Sequence, residues 1–259
     1  MTTKVKVVSK TFEILEALSE DTRLGLREIT ERVSYPKPTV FRLLSTLEQL
    51  GYVEQDKKDF TYTLSSKLML LTRSLSAGKG LIAVARPHME MLHKRFGETV
   101  NLARLVDDRA VYVNILESNE AFRISDSVGD AAPFHATSIG KAIAAFLPKE
   151  KRSILFRDHT FTAFTRKTIS GIDRLNEELD DVKKSGYAID NEEGHDGVVC
   201  VGAPIFNNEH YAFAALSISM PKVRAKKSIL DEVKEQLPRE GIAISLELGV
   251  TDIAKCFAA

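Results

Sequence analysis

Between Lys37 and Thr46 the chain carries side chains suited to contacting a polyanion and not merely to keeping a helix soluble. Thr39, Phe41, Arg42, Ser45 and Thr46 fall opposite an apolar stripe of Val40, Leu43, Leu44, Leu47 and Leu50 at helical spacing. A solvated face ordinarily carries Glu and Lys pairs. Hydroxyls, a guanidinium and an aromatic ring instead match phosphate oxygens, base edges and thymine methyl groups in a DNA major groove. Lys37 adds a cation where this segment begins, and Lys57 and Lys58 add two more in a polar turn after it.

The elements that must hold these groups can be read around them. Leu26, Ile29 and Val33 predict a preceding helix, and Val8, Phe12, Leu15 and Leu18 another that completes a three-helix core. Pro38 suits the first helical position and Gly51 the position just past the helix end. Residues 52–55 and 60–64 are β-prone and flank Asp56-Lys57-Lys58-Asp59, which predicts a two-stranded wing. Residues 26–64 therefore read as a winged helix-turn-helix. A helical hairpin with no DNA role is the alternative that the pattern alone leaves open.

The chain of 259 residues has room for two domains, and 44% hydrophobic with 28% charged residues marks it as globular and not disordered. Its formal charge of zero excludes a uniformly basic coat, but residues 1–80 hold 13 Lys and Arg against 10 Asp and Glu, a net of +3, balanced by −3 in the rest. So small an excess predicts that one copy binds DNA weakly and that a homodimer or dimer of dimers reads two half-sites. There is no run of about 18 apolar residues, so no membrane span is expected, and the N-terminus lacks the apolar core of a signal peptide. Cys200 and Cys256 form neither a disulfide framework nor a paired metal motif, which fits a reducing cytoplasm.

After the wing, an apolar helix from Ser66 to Leu75 leads to Gly78 and Gly80. The expected organisation is a DNA-binding domain at 1–65, a linker helix at 66–80 and a second domain at 81–259. In the second domain, Met89, Leu92 and Phe96 predict a helix ending at Gly97, and strands at 100–106 and 110–116 meet at Asp107-Asp108-Arg109. A helix beginning near Ser138 stops at Pro148, and another at 172–184 ends at Gly186. Strands at 199–206 and 211–219 follow, then a helix at 228–248 with an interruption expected near Pro238. The class is α+β, an antiparallel sheet flanked by helices.

Three motifs carry a resemblance. The longest is Gly186-Tyr187-Ala188-Ile189-Asp190-Asn191-Glu192-Glu193, then six residues, then Cys200-Val201-Gly202-Ala203-Pro204-Ile205-Phe206-Asn207. The others are His135-Ala136-Thr137-Ser138-Ile139-Gly140-Lys141-Ala142 and the run from Pro38 to Leu47 with Gly51-Tyr52-Val53. On these the chain strongly resembles the IclR family of bacterial transcriptional regulators over nearly its whole length. The resemblance implies an N-terminal winged helix, a linker helix and a C-terminal GAF-like domain that binds a small effector. One departure is Lys37-Pro38-Thr39, where relatives usually have Lys-Ser-Thr, so Pro38 is expected only to position its helix.

Carried over motif by motif, the resemblance implies an effector site at Ser138, Ile139, Asp190, Val198, Cys200, Ser217 and Ser219. Backbone N–H groups at Ser138 and Ile139 would face an anion at a helix start, and Ser217 and Ser219, two apart on a strand, share a face. The expected ligand is a small hydroxy- or oxo-carboxylate, a sugar acid or an aromatic acid, and no cofactor is expected. The expected function is a DNA-binding regulator, a repressor before an activator, with double-stranded operator DNA as partner and no membrane. Two alternatives use the same residues. Cys200 with His195 or His135 and Asp190 is the parts list of a thiol hydrolase, and Asp190, His195 and Cys200 offer ligand types suited to zinc in a metal-responsive regulator, without a compact Cys-x-x-Cys pair.

Overall fold

The computed structural model describes residues 5–21, 23–71, 80–121 and 126–258, and the chain divides into two compact units, 1–78 and 79–259. In the first unit, helices α1 (Lys6–Ser19), α2 (Leu26–Val33) and α3 (Lys37–Gln49) precede a hairpin of β1 (Val53–Gln55) and β2 (Tyr62–Leu64) and a short helix α4 (Leu68–Leu71). The rest of the expected linker, 72–79, lies outside the described residues. Gly25 starts α2, its N–H donated to Glu28 Oε2 at 2.7 Å, and Ser34 ends it in the left-handed region at φ 54°. Pro36 caps α3 and Pro38 is its second residue, one later than expected, where its missing N–H still costs nothing. Gly51 takes φ +77° just past the helix.

The three helices and the hairpin close on Ile14, Leu18, Leu24, Ile29, Val40, Leu44, Leu47, Val53 and Tyr62. Three expected core positions do not join them. Val8 and Phe12 are 51% and 60% exposed, because α1 turns Ile14 and Leu18 inward and leaves its N-terminal apolar residues outside. Leu50, at the end of α3, is 52% exposed, since the helix stops there and the chain turns away through Gly51.

In the second unit, α5 (Leu81–Phe96) ends at Gly97 and feeds β3 (Thr99–Val106), which turns through Asp107 into β4 (Arg109–Leu116). β5 (Ala131–Ala132), α6 (Ser138–Ala145), α7 (Lys149–Phe156), α8 (Ile172–Ser185), β6 (Ala188–Asn191), β7 (Val198–Phe206), β8 (Ala212–Pro221), α9 (Lys227–Glu247) and α10 (Ile253–Ala258) follow. The six strands form one sheet in the order β5-β4-β3-β8-β7-β6, each neighbouring pair antiparallel. One face buries Met89, Leu92, Val233, Leu237 and Ile244 from α5 and α9. The other buries Ile139, Ile143, Leu175 and Leu179 from α6 and α8.

This is the expected α+β class with four additions, β5, β6, α7 and α10. Pro148 ends the α6 segment as expected, but it also caps α7. Pro238 does not interrupt α9, which runs continuously across it. Glycine sets how closely helices approach the sheet: a Cβ on Gly202 would lie 2.5 Å from the Ser138 carbonyl oxygen, and one on Gly241 would lie 2.5 Å from that of Pro204. Among the described residues no helix is long and apolar enough to cross a membrane.

Candidate functional sites

On α3, Lys37, Phe41, Arg42 and Thr46 are exposed and Thr39 and Ser45 half-buried, so the whole expected contact set lies away from the core. Phe41 is 53% exposed. The Thr46 hydroxyl donates to the Arg42 carbonyl at 2.8 Å, which leaves it an acceptor only. Arg42, Lys37, Lys57 and Lys58 have no ion-pair partner among the described residues, whereas Arg27 pairs with Glu31 and Arg32 with Asp21. Sequence reasoning missed Arg23, which reaches Asp56 at 3.3 Å and Asp59 at 3.7 Å. That pairing partly offsets the two acids of the wing turn, so Arg23, Lys57 and Lys58 together outweigh Asp56 and Asp59 by one positive charge.

The second unit holds a cavity of about 380 Å³. All seven residues inferred for an effector site line it: Ser138, Ile139, Asp190, Val198, Cys200, Ser217 and Ser219. Each arrives by a different route. Thr137 caps α6, its hydroxyl accepting from the Gly140 N–H at 3.0 Å and donating to the Pro133 carbonyl at 2.8 Å. The cap fixes the helix start, so the amides of Ser138 and Ile139 have no partner within the helix and α6 points its positive end at the cavity. Gly202 allows this helix end to rest against β7. Ser217 and Ser219 project from one face of β8, and both hydroxyls accept from Asn101 Nδ2 on β3, at 3.2 and 3.0 Å.

Asp190 sits on β6 opposite Cys200 of β7. It is 3% exposed, and burial pushes its carboxyl up to about 6 although the amides of Glu193 and Gly194 donate to it. The loop after Asp190 is tied down by Lys141, a fully buried cation on α6. Its ammonium meets Glu178 at 2.9 Å, both oxygens of Glu193 at 2.9 and 2.8 Å, and the Ile189 carbonyl. The same loop is fastened from outside: Thr165 donates to the Glu192 carbonyl and Thr168 to that of Glu193, and Lys167 and Lys222 hold the Glu192 carboxyl down to about 2.

Sequence reasoning missed several cavity residues. Tyr112 comes from β4, Asp126 and Asp130 from the segment before β5, and Phe164 from the loop between α7 and α8; His195, expected only in the thiol and metal alternatives, joins them from the loop after Asp190. Burial raises the Asp126 carboxyl, and the neighbouring Asp130 raises it further, against the pull of His195 and a hydrogen bond from Tyr112. The inward parity of Ala110 and Tyr112 on β4 was the one available signal. A cavity with helix-end amides, two serine hydroxyls and several carboxylates can seat one anionic group and accept hydrogen bonds from ligand hydroxyls.

The geometry bears on the two alternatives. His135 does not line the cavity: its Nε2–H donates to the Thr162 carbonyl at 3.0 Å and its Nδ1 accepts from His159 at 2.8 Å. Burial pushes the Cys200 thiol well above its ordinary range, opposite to what a thiolate nucleophile needs. Asp190, His195 and Cys200 share the cavity wall, but no group of three or more His, Cys, Asp or Glu side chains is placed to hold a metal ion among the described residues.

Comparisons with known proteins converge. A family model described as "Bacterial transcriptional regulator IclR C-terminal" matches residues 74–246, and one described as "IclR helix-turn-helix domain" matches residues 7–57. The HTH-type transcriptional regulator KdgR of Escherichia coli is 33% identical, covering 96% of this chain and 94% of the relative. The acetate operon repressor of Salmonella typhimurium is 28% identical over 97% of this chain and 93% of its own length. Among solved structures, an IclR homolog from Microbacterium hydrocarbonoxydans complexed with 4-hydroxybenzoate superposes with a TM-score of 0.81 at 24% identity, covering 93% of this chain and 98% of that one.

Proposed function

The chain belongs to the IclR family of bacterial transcriptional regulators, and on that premise we propose that it is a repressor whose affinity for operator DNA is set by a small organic acid bound in the second unit. The observation that carries this is the convergence of all seven residues inferred from the family resemblance on one cavity beneath the capped end of α6. The acid's carboxylate sits on the amides of Ser138 and Ile139, and its hydroxyl or oxo groups meet Ser217, Ser219 and Asp190. Val198 supplies an apolar wall, and Cys200 packs as a small buried side chain. A relative's structure containing 4-hydroxybenzoate fits a ligand of this class.

DNA is read by Thr39, Phe41, Arg42, Ser45 and Thr46 of α3, with Lys37 and the wing lysines Lys57 and Lys58 on phosphates. The domains run 1–65 and 81–259 with a linker between, and the protein works in the cytoplasm as a homodimer or dimer of dimers. Exposed Val5, Val8 and Phe12 on one side of α1 support self-association. The effector binds one arrangement of subunits better than another and shifts the population accordingly.

A thermal-shift screen of small organic acids tests the reading. We expect a saturable stabiliser among hydroxy- or oxo-monocarboxylates, its effect abolished in the Ser217→Ala, Ser219→Ala double variant. A hit that survives in that variant, or a panel with no hit, contradicts the proposed site.

A further inference from the structure

A second cavity, of about 370 Å³, lies between α7 and α8 and shares no lining residue with the first. Its wall on the α7 side is cationic. Lys149, Arg152 and Arg157 all face it, and Ser153 on the same helix and Asn176 on α8 add neutral hydrogen-bonding groups. Lys149, Arg152 and Ser153 share one face of α7, and Arg157 continues that spacing just past its end.

Two features set this cluster apart from an ordinary solvated basic patch. The first is Arg152, whose Nη1 is buried and has no hydrogen-bond partner among the described residues. A buried guanidinium nitrogen left without an acceptor is costly, and native structures rarely keep one without a use. The second is that no acid stands among the described residues lining the cavity. α8 is rich in carboxylates, yet none lines the cavity, and three are engaged elsewhere: Glu177 with Arg174, Glu178 with Lys141 and Asp181 with Lys184, each at 2.9 Å. The crowding of positive charge is felt by Lys183 on α8. Burial lowers its ammonium, and Arg152 and Lys149 lower it further, against the pull of Asp180.

We propose that this cavity is a second ligand site, for a phosphate group carried by a small metabolite. Three side-chain cations around a concavity with no carboxylate in its wall among the described residues match the two negative charges of a phosphomonoester. The planar forks of Arg152 and Arg157 suit phosphate oxygens in pairs. The volume falls within the usual range of small-molecule sites, about 300–1,000 Å³, so there is space for an organic body beside the phosphate. Phe156 and Ile172 give that body an apolar surface. Concavity favours a small ligand over the flat acidic surface of another protein.

The test uses the full-length protein and three probes, inorganic phosphate, glucose 6-phosphate and phosphoenolpyruvate, against sodium chloride at matched ionic strength. Calorimetric titration should show saturable binding of at least one phosphate probe. The affinity should fall by about tenfold or more in Arg152→Gln, the expected loss for one charge-assisted hydrogen bond, and likewise in Lys149→Gln/Arg157→Gln, whose residues lie at the surface. Binding of inorganic phosphate alone would identify free phosphate as the ligand, and tighter binding of an ester would identify a phosphorylated metabolite. Without phosphate, Arg152→Gln should be at least as thermostable as the wild type, because it removes an unpaired buried donor and relieves repulsion. The proposal is overturned if no phosphate probe binds saturably, if the variants bind as the wild type does, or if Arg152→Gln is clearly destabilised without ligand. Binding of poly-glutamate with none of phosphate would also overturn it, in favour of an acidic protein partner.

Discussion

Lys141→Met should be among the most damaging single changes in the second unit. The methionine matches the lysine stem in length but removes the ammonium, which is fully buried and meets Glu178, both oxygens of Glu193 and the Ile189 carbonyl. Glu193 is only 12% exposed, so its carboxylate has little water to turn to, whereas Glu178 at 26% recovers more solvent. Leaving a buried charge without its partner costs about 3–5 kcal/mol. For a unit of this size each kcal/mol corresponds to roughly 2–4 °C, so the melting temperature should fall by roughly 6–20 °C. The assay is denaturant unfolding followed in the second unit, repeated for Glu193→Gln and for the double variant. Removing both charges leaves an apolar chain beside a neutral amide, so the double variant should recover about 1–3 kcal/mol relative to additivity. A Lys141→Met loss under about 1 kcal/mol, or strictly additive effects, would refute the view that this cation clamps the loop at the cavity.

Two further outcomes follow from the same geometry. Arg42→Ala, which removes an exposed cation without an ion-pair partner among the described residues, should weaken operator binding by about 1–3 kcal/mol in a salt-controlled gel-shift or anisotropy titration; unchanged affinity in the folded variant would take Arg42 out of the contact set. Asp190→Asn should stabilise the protein near neutral pH. The folded-state pKa of Asp190, about 6, lies above its ordinary 3.8, so folding takes up a proton in that window, and the wild type is penalised increasingly as pH rises from 3.8, fully above 6. The penalty amounts to at most about 3 kcal/mol, and asparagine can still accept from the Glu193 and Gly194 amides. Chemical unfolding should show a gain that grows with pH and fades in acid; a gain independent of pH would mean that the buried charge is not its source.

Most of the helices and long strands could be read from the chain because their periodicity is unambiguous and their ends are punctuated. Gly97 and Gly186 both take positive φ where the helices before them stop. Where the reading failed, local pattern carried two answers. α1 has apolar residues on more than one side, so nothing local favoured Ile14 over Val8 or Phe12 as a core position, and only packing against α2 and α3 decides it. The α7 segment, Lys-Glu-Lys-Arg-Ser-Ile-Leu-Phe, has too few apolar residues to announce a helix. β6 is four residues long, and its pairing with β7 supplies what its sequence lacks.

The cavity divides in the same way. The half built from α6, β6 and β7 was accessible because compact motifs carry it, and Ser217 and Ser219 on β8 followed from the family resemblance and their shared face, whereas Tyr112, Asp126 and Phe164 are scattered over strands and loops that meet only through the sheet. The role of Arg23 was hidden for a similar reason, since it lies 33 residues before the wing acid it pairs with.

The central claim is that the two units form one switch, and the most direct measurement couples them. Operator DNA from upstream of the protein's own gene is titrated with the full-length protein, with and without a saturating organic acid taken from the thermal-shift screen. The account predicts that the acid changes operator affinity by roughly 5–150-fold, the usual span of allosteric coupling, and that Ser217→Ala/Ser219→Ala abolishes the change while leaving acid-free binding intact. An acid that binds the cavity saturably and leaves operator affinity untouched would contradict it.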